Sequence, residues 1–115
     1  MHYYPDKWVM IKVTRNVFPE GDKILYKIFG SWRNIGMRWR LNSGVTKITE
    51  DSRSYYFHGY SGSVYKCNKL AYGTTEHGEN VLKDFVVSSL EAFDCVIEVL
   101  PTETNFMELN YEAMD

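Results

Sequence analysis

The stretch SYYFHGYSGSVYKC, residues 54–67, decides how this chain is read. It sets four tyrosines and one phenylalanine around the turn GYSG. Successive side chains of a strand face opposite ways, so Tyr55, Phe57 and Gly59 share one face and Tyr56, His58 and Tyr60 the other. Glycines at both ends of the four-residue connection supply backbone freedom that Tyr and Ser lack. The reading is a β-hairpin. Half of its aromatic side chains go to a core, and the other half remain to meet a ligand.

The same alternation runs through the preceding residues. In KWVMIKVT, residues 7–14, Val9, Ile11 and Val13 oppose Trp8, Met10 and Lys12. RNVFPEGDK carries turn chemistry at Pro19, Gly21 and Asp22, and ILYKIFGSW, residues 24–32, resumes the strand pattern, which predicts an antiparallel hairpin. RNIGM is a second turn around Gly36. In RWRLNSGVTKITE, Arg38 and Arg40 oppose Trp39 and Leu41, and Asn42, Ser43 and Gly44 read as a bulge or bend before Val45 continues the strand direction.

After AYGTTEHG the period changes. Leu82, Phe85, Val86, Leu90 and Phe93 recur at three and four, predicting one helix over residues 79–93 with its start among Thr74, Thr75 and Gly78. CVIEVLP reads as a short strand stopped by Pro101. An acidic segment, residues 102–115, follows; Phe106, Met107, Leu109 and Tyr111 dock locally, with partial flexibility expected toward the end. The expected fold is α+β. It is a mainly antiparallel curved sheet, or a partly open small barrel, of about five to six strands with one helix near the C-terminus. At 115 residues and 44% hydrophobic content the chain makes one domain with one core.

No apolar run is long enough to span a bilayer, and the opening MHYYPDKW has neither a basic start nor an apolar h-region, so a cytoplasmic protein without membrane contact is expected. Cys67 and Cys95 stand far apart with no CxxC spacing, which points to reduced thiols packed in strands.

Motifs for chemistry are lacking. His2, His58 and His77 do not have zinc-site spacing, and joining His58 to Cys67 and Cys95 requires a tertiary coincidence. No nucleophile elbow or oxyanion-loop signature accompanies His58. GYSGSVYK brings glycines near Lys66 but lacks the spacing and strand-to-helix context of a phosphate loop. The expectation is a protein with no enzymatic activity, no metal and no cofactor.

The net charge of −2 hides two halves. Residues 1–70 carry twelve Lys/Arg against five Asp/Glu, and residues 71–115 carry one Lys against ten acids. Trp32, Arg33, Arg38, Arg40, Arg53, Tyr56, Tyr60 and Lys66, with Lys47 and Trp39 nearby, interleave cations with aromatics as a single-stranded nucleic-acid surface does. The same residue types populate protein interfaces. They are also what any half-buried antiparallel sheet displays. Glu103, Glu108 and Glu112, with Asp115, either lie across the basic sheet and screen it or form an acidic surface for a basic partner. A protein-binding module is the first expectation and a nucleic-acid binder the second; the oligomeric state stays open.

With PDKW, RLNSG and FHGYSGSVYKC in view, about residues 5–73 resemble small accessory proteins encoded by large tailed bacteriophages, notably those of marine cyanobacteria. The resemblance implies a context: an accessory protein in the cytoplasm of an infected host, binding a host or defence protein.

Overall fold

A computed structural model describes residues 1–17, 19–33, 38–93 and 95–111, the side chains of residues 17 and 89–93 excepted. The chain runs β1 (His2–Tyr3), β2 (Lys7–Val17), β3 (Gly21–Ser31), β4 (Trp39–Leu41), β5 (Val45–Glu50), β6 (Ser54–Gly59), β7 (Val64–Asn68), α1 (Glu76–Phe93), β8 (Cys95–Val99) and a 3-10 turn, Phe106–Glu108. The turn expected around Gly36, the stripe positions Leu90 and Phe93, and the acids Glu112 and Asp115 lie outside the described residues or side chains.

The strands form two four-stranded sheets, ordered β1-β7-β6-β5 and β4-β3-β2-β8. The first is mixed, because β1 runs parallel to β7; the second is antiparallel throughout. This corrects the expectation of one curved sheet or a partly open barrel: the α+β class and the single described helix stand, but the strands divide into two sheets and close no barrel.

The division occurs at Asn42, Ser43 and Gly44, where the sequence reads as a bulge or bend that continues the same strand direction. Asn42 ends the β4 ladder, its backbone N–H donating to Ile28 O at 3.0 Å and its Oδ1 accepting from the Ile28 N–H at 2.8 Å. Gly44 then adopts φ +133°, and its carbonyl accepts from the Tyr60 N–H at 3.1 Å, so the chain has already joined the other sheet. A Cβ on Gly44 would stand 2.7 Å from Leu25 Cδ1. Only glycine combines that conformation with that closeness.

The main core lies between the sheets. Trp8, Met10 and Ile28 face Val45, Phe57, Tyr65 and Cys67, all nearly inaccessible to solvent. Trp8 is the hub, meeting the rings of Tyr55, Phe57, Tyr72 and Phe106. Its indole N–H donates to Asn68 O at 2.8 Å, so the largest buried side chain is also satisfied. From the acidic segment Phe106 and Tyr111 enter the same core, and the Tyr111 hydroxyl donates to Phe106 O at 2.6 Å.

The helix covers the other face of the second sheet. Leu82 is buried there with Val9, Ile11 and Phe29, and Val81 and Phe85 pack alongside. Thr75 starts it: its Oγ1 accepts from the Gly78 N–H at 3.1 Å and its carbonyl from the Glu79 N–H at 2.9 Å. Glu76 and Glu79 in the first turn suit the positive end of the helix dipole.

Candidate functional site

The hairpin of residues 54–67 forms as its alternation requires. Tyr55, Phe57, Tyr65 and Cys67 turn inward, while Tyr56 and Lys66 are cross-strand partners on the outer face. Gly62 takes φ +86° in the turn, and its N–H donates to Gly59 O at 3.0 Å. Tyr60 is 48% exposed with its ring beside Gly44, and among the described residues no cation sits over that ring.

The cations and rings meet elsewhere, at the flank where β1 approaches β4. Gly30 in β3 makes this approach possible, since a Cβ there would lie 3.0 Å from Pro5 Cβ. Residues 3–5 therefore run close over β3. The indole N–H of Trp32 donates to Tyr4 O at 2.9 Å, and Asp6 Oδ2 accepts from the Arg33 N–H at 2.9 Å. The result is a cleft of about 180 Å³ lined by Tyr3, Trp32, Arg38, Trp39 and Arg40.

Within it, the Arg40 guanidinium sits over the Tyr3 ring, 4.4 Å from the centroid. Arg40 also bonds the Tyr65 hydroxyl; burial pushes that phenol up to about 12 and the guanidinium opposes the rise. Trp39 stacks on Phe29 at 5.6 Å and meets Phe85 edge-on, which fixes the indole while leaving it 38% exposed. Among the described residues neither Arg38 nor Arg40 pairs with a carboxylate; the ion pairs present are Lys69–Glu50 and Lys83–Glu79.

A second patch adjoins the cleft through Tyr4. Lys66 Nζ lies 6.0 Å from the Tyr4 centroid and 5.7 Å from that of Tyr56. The Tyr56 hydroxyl donates to Asp51 Oδ2 at 2.6 Å, while Asp51 Oδ1 accepts from the N–H groups of Arg53 and Ser54. Those bonds, the Tyr56 hydroxyl first, hold the Asp51 carboxyl at about 2. His58, on the same outer face, is lowered by burial and by Lys47 and His2.

Of the residues singled out by sequence, Trp32, Arg38 and Arg40 thus share one cleft with Arg33 at its margin. Tyr56 and Lys66 share the neighbouring patch with the exposed Arg53. Tyr3 and Tyr4, which link the two, were missed. A two-residue strand has no periodicity to read, and its only sequence signal is the aromatic pair itself. Glu103 and Glu108 are exposed, and neither pairs with a cation among the described residues. Glu112 lies outside the described residues. Also among the described residues, no three His, Cys, Asp or Glu side chains gather as metal ligands, and no helix is long and apolar enough to cross a membrane.

No protein family, curated protein or solved structure matches the chain.

Proposed function

We propose that this chain is a small binding module without enzymatic activity that holds a protein partner through the cleft at the β1–β4 flank. The observation that carries this reading is the Arg40 guanidinium seated on Tyr3 beside the braced, exposed Trp39. Arg and Trp dominate binding energy at protein interfaces, and their conformations here are already fixed, which lowers the entropy cost of docking. Arg40 and Lys66 lie against ring faces rather than projecting freely, which suits an interface more than a phosphate track. The resemblance to phage accessory proteins supports a host or defence protein in the cytoplasm as that partner. The test is capture from host lysate by the full chain and by Arg38→Glu. A partner retained by the first and lost by the second supports the reading, and equal capture by both removes the cleft from it.

A second reading, single-stranded nucleic acid, is favoured by one feature. Rings and cations lie together along this flank: Tyr3, Trp32 and Trp39 with Arg38 and Arg40 in the cleft, and Tyr4 and Tyr56 with Lys66 in the adjoining patch. Bases stack on such rings, and binding by this route weakens steeply with salt. Titration with an oligothymidylate at low salt separates the two: saturable, salt-sensitive binding reduced by Arg38→Glu favours nucleic acid, and no binding removes it.

A further inference from the structure

We infer that β4 receives its partner as an extended acidic strand, with carboxylates at alternate positions facing Arg38 and Arg40 and an apolar or aromatic side chain between them over Trp39. The inference rests on the protein-binding reading and specifies the partner's chemistry.

The backbone supplies the first argument. β4 is the outer strand of its sheet, paired with β3 on one side through Phe29↔Leu41, Gly30↔Arg40 and Ser31↔Trp39. The N–H and C=O of one strand residue point to the same side, and the side alternates along the strand. Trp32 N–H donates to Arg38 O and Asn42 N–H to Ile28 O, so residues 38 and 42 point to β3, and Arg40 with them. Trp39 and Leu41 therefore direct their N–H and C=O groups outward. Among the described residues nothing bonds those groups, so they are open to an added strand.

The side chains supply the second. Arg38 and Arg40 flank the open edge on one face, two residues apart, the same repeat of about 6.5–7 Å that separates alternate side chains of a partner strand. Opposite charges directly across a strand pair stabilise it, whereas like charges oppose it. Because neither arginine has a carboxylate among the described residues, the edge repels a second β4 and selects an acidic strand. Trp39 lies on the other face of β4, so the residue between the two carboxylates would cover its exposed indole.

The experiment is an NMR titration of the full chain with a short peptide alternating Glu with Val. Controls are the Gln-for-Glu peptide and one N-methylated at the amides that face β4. The expected result is a shift and slowed exchange of the Trp39 and Leu41 amides, and an affinity that falls with salt. Arg38→Glu should weaken binding about tenfold, with Arg38→Gln intermediate. The N-methylated peptide should fail to bind. Equal binding of the N-methylated or Gln peptide overturns the strand geometry or the charge selection. So does absence of binding by the Glu peptide, even where Arg38-dependent capture of a host protein persists and the broader reading stands. Protection of the same amides by rising protein concentration alone assigns the edge to a second copy. Displacement of the peptide by oligothymidylate that binds more tightly would count against the protein reading itself.

Discussion

The rings of Trp8 and Phe106 meet with centroids 5.2 Å apart and planes inclined by 59°. One side chain comes from the second sheet's central hairpin and the other from the acidic segment beyond β8, so that segment contributes Phe106 to the core, as it does Tyr111. Replacing Phe106, only 3% exposed, by Ala should cost about 3–5 kcal/mol in urea unfolding. A loss within the scatter of surface variants would mean that the segment merely leans on the sheets.

The passage between sheets rests on Gly44. Gly44→Ala must hold a left-handed φ and also displace Leu25, so a loss of about 2–4 kcal/mol is expected. Gly62→Ala is the control. It shares a positive φ, but nothing lies within 4 Å of its Cβ position, and about 1–2 kcal/mol is expected. Equal losses would show that crowding at the crossover has no energetic weight.

Acid stability should carry a signature of Asp51. Its folded carboxyl titrates at about 2, below the ordinary 3.8, so its stabilisation is complete above the ordinary value and lost as pH falls through about 2. The unfolded chain binds the extra proton in that window, so stability rises with pH there. Thermal melts from pH 5 to pH 2 should show a steeper decline for the native chain than for Asp51→Asn. Parallel curves would remove the carboxylate from the acid response.

Cys67 is fully buried in β7, and desolvation pushes its thiol well above the ordinary range. Thiolate is the reactive form, so iodoacetamide should leave Cys67 unmodified in the native chain and label it at the rate of unfolding. Rapid native labelling, read by mass spectrometry of the peptide that contains Cys67, would contradict the packing around it.

What the residues disclose before folding is uneven, and for physical reasons. The hairpin of 54–67 is legible because period-two alternation and a glycine-bounded turn act within one short segment. The helix is legible by its stripe, and Thr75 is one of three residues that the sequence offers as a start. The division at Asn42 to Gly44 was not legible. A glycine inside a strand pattern signals a bulge and a sheet change alike, and only the partners of Ile28 and Tyr60 distinguish them. The cleft was half legible. Arg38, Arg40 and Trp32 advertise themselves by type, but the ring that seats Arg40 belongs to Tyr3, brought there by pairing with β7 far along the chain.

The hub at Trp8 also sets an order of events during folding. β2 and β3 are sequence neighbours joined by a short connection, so their hairpin closes a small loop and forms early. Trp8 then waits for rings at positions 55, 57, 72 and 106, the last of them separated from it by most of the chain. Contacts of such reach slow folding, placing the closing of the two sheets toward the millisecond-to-second end of the range for small domains. Stopped-flow refolding followed by tryptophan fluorescence should report that closure as the slow phase, retarded by Phe106→Ala only if the ring is already docked at the barrier.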